Sequence, residues 1–275
     1  MAQTLIEELK KKVLKMSDGK KEILLGDCLE LMKDIPDASI DMVLCDLPYG
    51  TTACKWDTII PFEPLWKQYE RIIKPNGAIV LTASQPFTSA LVMSNPKLFK
   101  CEWIWEKQKA SNFMSMKYQP AKYHENILVF GKGTITYNPK MWTIQDDKMD
   151  KRKTVNNPNT NKDCHLGNIV RTRKKDDGSR YPKSILKIDK SINGNIHPTQ
   201  KPVALFEYLI NTYSNENDLV LDNCAGSGTT AIACLNTNRQ FIVMEKEQKY
   251  YDMILKRVAD FNKNFEQQTL FGDEM

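Results

Sequence analysis

The segment Asp46-Leu47-Pro48-Tyr49 follows an apolar run at residues 41–45 and brings three chemical groups into one turn. It provides a carboxylate, the backbone carbonyl of Pro48 and the aromatic ring of Tyr49. Two hydrogen-bond acceptors and a ring face are the groups that would hold the exocyclic amino group of a planar base that has left its stack. An Asp-x-Pro turn is also common chain-reversal chemistry. The segment alone therefore leaves a catalytic turn and an ordinary turn as alternatives.

A second turn, between two further apolar runs, consists mainly of small residues. It spans Asp222-Asn223-Cys224-Ala225-Gly226-Ser227-Gly228-Thr229. Its backbone amides can approach a ligand closely, because Ala225, Gly226 and Gly228 carry almost no side chain. Glu245 ends the next apolar run, where an acid can accept the two hydroxyls of a ribose. The turn lacks the lysine of a phosphate-binding loop, so it favours a nucleoside cofactor without phosphates; an ordinary turn followed by a surface acid is the alternative.

Short apolar runs alternate with amphipathic stretches on both sides of a polar middle segment, a pattern typical of a mostly parallel sheet covered by helices. The predicted strands cover residues 22–25, 41–45, 78–82, 219–221 and 241–244, and the predicted helices cover 64–73, 202–213, 229–235 and 248–258. Two further runs, 101–106 and 126–130, predict an antiparallel hairpin at the sheet edge. We therefore expect an α/β fold with a Rossmann-like sheet, helices on both faces, and ligands at the carboxyl ends of the strands.

Positive charge is concentrated in the middle of the chain. The 275 residues have a formal net charge of +5, whereas residues 107–195 contain 19 lysines and arginines against 8 acidic residues. Turn-forming residues without sustained apolar periodicity occupy much of this region. We interpret residues 131–195 as an insertion that contacts nucleic acid, with a lysine-rich solvated loop as the alternative. The candidate contacts, which are interleaved with aromatic residues, are Arg171, Arg173, Lys174, Lys175 and Arg180.

The composition argues against several other classes of protein. The seven cysteines are scattered and form no C-x-x-C pair, which indicates reduced thiols and predicts neither a disulfide framework nor a metal site. No apolar run reaches the roughly 18–20 residues that span a bilayer. The first residues, Met1-Ala2-Gln3-Thr4, lack the basic-then-apolar order of a signal peptide. We expect a soluble, cytoplasmic protein without membrane contact.

Six motifs follow one another along the chain. They are Gly26-Asp27-Cys28, Asp46-Leu47-Pro48-Tyr49, Trp103-Ile104-Trp105-Glu106-Lys107, His124-Glu125-Asn126-Ile127-Leu128-Val129-Phe130, His197-Pro198-Thr199-Gln200-Lys201-Pro202, and residues 222–230. In this order the chain resembles the β group of DNA amino-methyltransferases, which use S-adenosylmethionine and place the catalytic motif before the cofactor motif. The resemblance implies a methyltransferase sheet in two halves, residues 1–130 and 196–262, and a tail at 263–275. It also implies that the insertion at 131–195 recognises the target in the major groove of double-stranded DNA.

Carried over position by position, the resemblance implies that Asp46, the Pro48 carbonyl and Tyr49 form the catalytic turn. It implies that Asp27 lies near the adenine of the cofactor and Glu245 at its ribose, and that Lys201 and the small-residue turn surround its methionine part. The remaining residues assigned to the cofactor site are Cys28, Asp46, His197, Thr199, Asp222, Cys224, Ala225, Gly226, Ser227, Gly228 and Thr229. Two positions depart from the usual family pattern. Leu47 stands where the family usually has proline, and we expect this change to leave the activity intact. Asn223-Cys224 stands where the family usually has Pro-Phe, and we expect this change to lower the affinity for the cofactor.

The resemblance implies methyl transfer to the exocyclic amino group of a flipped adenine, without a metal. Adenine is preferred to the cytosine amino group because the family usually has Asp at the first position of this turn for adenine and Ser for cytosine. A cytosine-C5 reaction would need a cysteine nucleophile, commonly in a Pro-Cys turn, which this chain lacks. A nucleotide-dependent oxidoreductase and a non-catalytic DNA-binding module are the alternatives. The sequence leaves open whether the chain forms a homodimer.

The C-terminal segment contains Gln267, Leu270 and Phe271 after the last predicted helix. These residues resemble the glutamine-then-leucine-phenylalanine peptide with which bacterial proteins dock on the replication sliding clamp. A peptide of this type binds in an extended form and buries two apolar anchors. The alternative is that Leu270 and Phe271 pack on the protein's own surface.

Overall fold

The computed structural model describes residues 13–15, 21–52, 54, 57–143, 177–189 and 200–272. The chain divides into two compact units. The larger unit combines Met1–Asn138 with Ser184–Met275, and the smaller unit is Pro139–Lys183. The smaller unit is shorter at both ends than the insertion predicted at 131–195.

Within the described residues, nine strands form the sheet of the larger unit. In chain order the strands that the structure describes are β1 (Val13–Lys15), β2 (Lys21–Leu25), β3 (Ile40–Asp46), β4 (Ile73–Ala83), β5 (Phe99–Glu106), β6 (His124–Phe130), β7 (Trp142–Thr143), β8 (Ser179–Arg180), β9 (Ile185–Lys187), β10 (Leu219–Asp222) and β11 (Gln240–Glu245). The order in the sheet is β1-β2-β11-β10-β3-β4-β6-β5-β9. The strands β2, β11, β10, β3 and β4 are parallel, whereas β6 lies antiparallel between β4 and β5. The carboxyl ends of the parallel strands therefore meet at one edge, where such folds bind ligands.

Two apolar clusters cover the two faces of this sheet. Successive residues of a strand point to opposite faces, and in β3 Met42 and Leu44 belong to one cluster while Val43 and Cys45 belong to the other. Among the described residues, the α-helices are α1 (Cys28–Leu31), α2 (Phe62–Ile72), α3 (Phe87–Ser94), α4 (Val203–Tyr213), α5 (Thr229–Asn236) and α6 (Gln248–Gly272). Residues of α1 to α3 join the cluster of Val43, and residues of α4 to α6 join that of Met42. The predicted fold class, a mostly parallel sheet with helices on both faces, is confirmed.

The predicted position of the antiparallel hairpin at the sheet edge is wrong. The hairpin itself is formed by β5 and β6, but β9 pairs in parallel with β5 and lies outside it. Leu186 of β9 is buried in the main core. The Trp105 indole N–H donates to the Ile188 carbonyl at 2.9 Å. A segment that the sequence placed in the insertion therefore belongs to the main sheet.

The predicted end of the last helix is also wrong. The helix α6 continues to Gly272, where the sequence predicted an end at residue 258 and a separate tail at 263–275. No glycine or proline interrupts residues 248–271, so no strong breaker ends the helix earlier. Gln267, Leu270 and Phe271 thus have helical backbone rather than the extended form predicted for a clamp-docking peptide.

In the smaller unit, β7 and β8 form an antiparallel hairpin. The Trp142 indole N–H donates to the Tyr181 carbonyl at 3.0 Å, and the Lys183 ammonium lies 5.3 Å from the centre of the Trp142 ring. Arg180, one of the predicted nucleic-acid contacts, lies in β8. The other predicted contacts lie outside the described residues; they are Arg171, Arg173, Lys174 and Lys175.

None of the described helices is both long enough and apolar enough to cross a membrane. The part of the chain that the structure describes also contains no group of three or more His, Cys, Asp and Glu side chains suited to a metal ion.

Candidate active site

A cavity of about 1530 Å³ opens in the larger unit at the carboxyl ends of the parallel strands. Asp46 ends β3, Asp222 ends β10 and Glu245 ends β11, and all three residues line the cavity. Because β10 lies between β3 and β11, the three strand ends are neighbours. A pocket for one small ligand usually measures about 300–1,000 Å³. This cavity therefore has room for a cofactor and for part of a second molecule.

The carboxylate of Asp46 is held by three side chains. The Thr82 hydroxyl donates to Oδ1, and the Tyr49 hydroxyl lies 2.7 Å from the same oxygen and 2.9 Å from Thr82 Oγ1. The Lys201 ammonium lies 2.6 Å from Oδ2. A carboxylate has about four acceptor positions, so these donors leave a position for a ligand. The Asp46 side chain is 25% exposed, which lets a ligand in the cavity reach it.

Alternating charges extend from Asp46 into the protein. The Lys201 ammonium also lies 3.3 Å from Glu125 Oε2, and the Lys107 ammonium lies 2.9 Å from Glu125 Oε1. Burial opposes the charged form of Lys201, but Asp46 and Glu125 outweigh it and raise the pKa of Lys201 above its ordinary value. Burial likewise opposes ionised Glu125, yet the two lysines lower the pKa of this carboxyl. Lys201 and Glu125 are therefore both charged at neutral pH.

The catalytic turn predicted from the sequence is held rigidly. The Tyr49 ring stacks on Phe87 with centroids 5.3 Å apart and planes at 28°. Burial, Asp46 and Glu125 raise the pKa of Tyr49 well above its ordinary value, so its hydroxyl stays protonated and can donate. The turn continues into residues 50–52, whose three backbone N–H groups donate to the Asp57 carboxylate at 2.7–2.9 Å.

Small residues shape the turn after β10. Gly226 has φ +52°, and no atom lies within 4 Å of the position that a Cβ would occupy. Gly228 has φ +77° and packs against Ile254, which would lie 3.0 Å from a Cβ. Asp222 accepts hydrogen bonds from the Cys224 backbone N–H and the Thr230 hydroxyl. Burial nevertheless raises the pKa of Asp222 from 3.8 to about 6.

Two carboxylates lie on the same side of the cavity as this turn. Glu245 accepts the backbone N–H of Gly226 and that of Glu247, both at 2.8 Å. Asp27 accepts the Leu29 N–H at 3.0 Å at the start of α1, and it lies 3.5 Å from the Lys246 ammonium. Each carboxylate is oriented by backbone N–H donors, and both line the cavity. Together with the open side of Gly226, they suit a nucleoside whose hydroxyl and amino groups need acceptors.

The sequence model of the DNA methylase family, N6_N4_Mtase, matches residues 40–256, which include every strand and helix around the cavity except β2 and α1. The chain belongs to the DNA methylase family. The resemblance to DNA amino-methyltransferases is thereby confirmed for the family, and the alternative of a nucleotide-dependent oxidoreductase is wrong.

Relatives of this DNA methylase cover most of its length. The type II methyltransferase M.HpaI of Haemophilus parainfluenzae is 26% identical over 254 residues, which cover 87% of this chain and 75% of the relative. The DNA adenine methyltransferase YhdJ of Escherichia coli K12 is 29% identical over 258 residues, which cover 86% and 82%. The crystal structure of the M1.HpyAVI–SAM complex shares 25% identity with a TM-score of 0.57, and covers 86% of this chain and 98% of that chain. The PvuII DNA methyltransferase, described as cytosine-N4-specific, shares the fold at 17% identity with a TM-score of 0.60, over 86% of each chain.

Most of the predicted site residues of the DNA methylase line one cavity. Those that do are Asp27, Cys28, Asp46, Pro48, Tyr49, Lys201, Asp222, Cys224, Ala225, Gly226, Ser227, Thr229 and Glu245. Gly228 instead precedes α5 as its N-cap residue and packs on Ile254 of α6. His197 and Thr199 lie outside the described residues. The ammonium of Lys201, expected around the methionine part of a cofactor, contacts Asp46 and Glu125.

Sequence reasoning missed Thr82, which contacts Asp46 directly, and the pair Glu125 and Lys107, which continues the charge network beyond Lys201. Thr82 lies opposite Asp46 on the neighbouring strand β4, where its own sequence context is apolar. Lys107 directly follows β5, and Glu125 lies in β6, which pairs with β5. Both residues belong to motifs on which the resemblance rests. The signal that could have identified Glu125 and Lys107 is their position as charged residues beside the apolar runs of those two motifs.

Proposed function

We propose that this DNA methylase transfers the methyl group of S-adenosylmethionine to the exocyclic N6 amino group of an adenine that has been flipped out of double-stranded DNA. The observation that carries the proposal is the Asp46 carboxylate, which Lys201, Tyr49 and Thr82 orient at the edge of a cavity whose other residues suit a nucleoside. The names of two relatives, a DNA adenine methyltransferase and a complex with SAM, support the choice of target base and cofactor.

The residues present fit S-adenosylmethionine. Glu245 and Asp27 offer carboxylates to the ribose and adenine parts, and the uncovered side of Gly226 lets backbone approach the ligand. When bound, this cofactor supplies a methyl group that its sulfonium makes electrophilic. Cys224, in place of the usual aromatic residue, lines the same cavity with a smaller surface. We therefore keep the expectation that cofactor affinity is lower than with an aromatic residue there.

The catalytic turn acts on the nucleophile. The lone pair of an exocyclic amino group is delocalised into the base, so the nitrogen is a weak nucleophile. Hydrogen bonds from its two protons to Asp46 and to the Pro48 carbonyl favour a pyramidal nitrogen whose lone pair is free to attack. The Asp46 carboxylate also stabilises the positive charge that grows on the nitrogen during transfer. The methylated amino group then loses one proton, which the Asp46 carboxylate can accept.

Lys201 and Tyr49 prepare Asp46 for this role. The Lys201 ammonium holds Oδ2 of Asp46 at 2.6 Å and also contacts Glu125, and the protonated Tyr49 hydroxyl fixes the position of Oδ1. Both groups are rigid, since Lys201 is buried and the Tyr49 ring stacks on Phe87. An acceptor that is already oriented costs little reorganisation when the base arrives.

The smaller unit is proposed to help recognise the DNA target. Arg180 lies on its hairpin, and the chain around it has the positive charge that phosphate contacts need. Docking of Gln267, Leu270 and Phe271 on a sliding clamp stays a prediction, because it requires the end of α6 to unwind into an extended segment. A homodimer likewise stays a prediction.

Sequencing that detects modified bases in DNA from an expressing host tests the proposal. We expect N6-methyladenine at a defined site in cells that express the protein and none at that site in cells with the empty vector. N4-methylcytosine at the site would overturn the choice of base. Absence of either modification, with the protein folded and able to bind S-adenosylmethionine in a calorimeter, would overturn the proposed reaction.

A further inference from the structure

The loop between β5 and β6, residues 107–123, carries an unusual number of apolar side chains into solvent. Of the twelve large apolar side chains that are exposed among the described residues, five lie in this loop: Phe113, Met114, Met116, Tyr118 and Tyr123. Phe113, Met114 and Tyr118 are 73%, 81% and 80% exposed. Single exposed apolar residues are ordinary, but a group of neighbours marks a surface that binds something.

The same loop is positively charged. Residues 107–123 contain four lysines and no acidic residue. Lys107 is paired with Glu125, which leaves Lys109, Lys117 and Lys122 as positive charge on the loop. Exposed apolar side chains beside lysines suit a partner that has both negative charge and apolar surface. DNA is such a partner, because its phosphates are negatively charged and its stacked bases are apolar.

The loop stands at the rim of the active-site cavity. Residues 107–112 and 119–122 line the cavity, and the exposed Phe113, Met114 and Tyr118 lie between these two stretches. Any base that enters the cavity from a DNA duplex thus leaves its stack next to this loop. The position of the loop favours DNA over other polyanions.

The loop is also ordered before DNA arrives. The Asn112 side chain accepts the Lys122 backbone N–H at 2.7 Å and donates to the Pro120 carbonyl at 2.9 Å. The Ser111 N–H donates to the Lys122 carbonyl at 3.1 Å, and residues Phe113–Ser115 form a 3₁₀ turn. These bonds close the base of the loop and hold its tip outward, so binding needs little further ordering.

From these four observations we propose that Phe113 and Met114 form a wedge that enters the DNA base stack at the step the target base has left, while the lysines of the loop contact the flanking phosphates. The inference rests on the proposed function, since it assumes a base that leaves a duplex. Flipping costs stacking and pairing energy, and an apolar wedge in the vacated step offsets part of that cost. The wedge acts on DNA outside the cavity, so it positions the substrate and takes no part in the methyl transfer itself.

The test compares the full-length wild type with the double variant Phe113→Ser, Met114→Ser. The substrates are two duplexes that contain the methylated site found by sequencing: one is fully paired, and the other has its target base mispaired and therefore already weakly stacked. Met93→Ser is the matched control, because Met93 is 72% exposed but belongs to α3 and is not among the residues that line the cavity. All three proteins are expected to have the same unfolding temperature and the same Kd for S-adenosylmethionine.

We expect the double variant to methylate the paired duplex at least tenfold more slowly than the wild type and to recover most of its rate on the mispaired duplex. A fluorescent base analogue at the target position should report less flipping in the double variant, and Met93→Ser should match the wild type throughout. Equal rates of the double variant and the wild type on the paired duplex would overturn the wedge. Equal rates together with weaker binding to phosphatidylserine vesicles would instead assign the loop to a membrane surface. Failure of the wild type to methylate any duplex would contradict the proposed function rather than the wedge.

Discussion

Replacing Lys201 by methionine removes the cation that Asp46 and Glu125 share. The ammonium lies 2.6 Å from Asp46 Oδ2 and 3.3 Å from Glu125 Oε2, and its side chain is 7% exposed. Removing one partner from a buried ion pair costs about 3–5 kcal/mol because an unpaired charge stays behind. Asp46 is partly exposed and Glu125 keeps Lys107. We therefore expect the lower end, a loss of about 3 kcal/mol in the free energy of unfolding.

The same substitution is expected to make catalysis depend on pH. In the wild type, the lysines keep the pKa of Glu125 below its ordinary value, so this carboxyl loses its charge only as the pH falls below that range. Methyl transfer should then be insensitive to this network between pH 6 and 8. In Lys201→Met the two carboxylates face each other without a shared cation, so the pair binds a proton more readily. A protonated pair accepts the amino group poorly, and the rate should fall as the pH is lowered from 8 to 6.

Single-turnover methylation between pH 6 and 8 and urea unfolding measure the two effects. Lys107→Met is the matched control, since it removes a cation from Glu125 without touching Asp46; it should lose stability but keep a flat rate profile. Adding Glu125→Gln to Lys201→Met removes the repulsion between the carboxylates of Asp46 and Glu125, so the double variant should regain part of the lost unfolding free energy. A flat profile for Lys201→Met would refute the reasoning. So would a tenfold rise in its Kd for S-adenosylmethionine without a pH effect, because that result would place Lys201 at the methionine part of the cofactor, as the resemblance implies.

Four further substitutions test other parts of the site. Tyr49→Phe keeps the stacked ring but loses the hydroxyl that fixes the catalytic carboxylate, so kcat should fall about tenfold with no change in Kd for DNA, as a steady-state assay would show. Asp57→Asn cannot accept three backbone N–H groups, so residues 50–52 should exchange their amide hydrogens faster and the unfolding free energy should fall by about 1–3 kcal/mol. In Gly228→Ala the new Cβ lies 3.0 Å from Ile254 at a residue with φ +77°, whereas in Gly226→Ala the Cβ meets open space. Gly226→Ala should therefore lower the unfolding free energy only by the about 1–2 kcal/mol of a left-handed backbone, and Gly228→Ala should lower it further. Urea unfolding compares the two variants, and equal losses would contradict the packing argument.

The strands and helices around the site were predictable because local patterns determine them. Strands β3 and β10 are apolar runs that end in a polar turn, and the helices between strands have one apolar side. Strand β9 was missed because it has three residues and a single buried one, Leu186, which is too short for an alternating pattern. The course of α6 beyond residue 258 was missed because its last residues are mostly polar, which is typical of a tail as much as of an exposed helix.

The site was predictable only where its residues lie within one turn. Asp46, Pro48 and Tyr49 are neighbours in sequence, so their joint chemistry is visible there. The ion pairs of Lys201 with Asp46 and Glu125 join residues that are 155 and 76 positions apart, and no local pattern states such pairings. The resemblance identified Lys201 as a site residue but did not identify its ion pairs with Asp46 and Glu125.

Methyl transfer by Asp46→Ala tests the central claim most directly. The variant is incubated with S-adenosylmethionine carrying a labelled methyl group and with duplex DNA, and the label in adenine is counted, beside a calorimetric measurement of cofactor binding. Asp37→Ala serves as the control, since Asp37 is an exposed carboxylate whose partner is Arg71. The account predicts that Asp46→Ala still binds the cofactor measurably but transfers no measurable label, while Asp37→Ala keeps the wild-type rate. Label in adenine at a rate within tenfold of the wild type would contradict the assignment of Asp46 as the catalytic carboxylate.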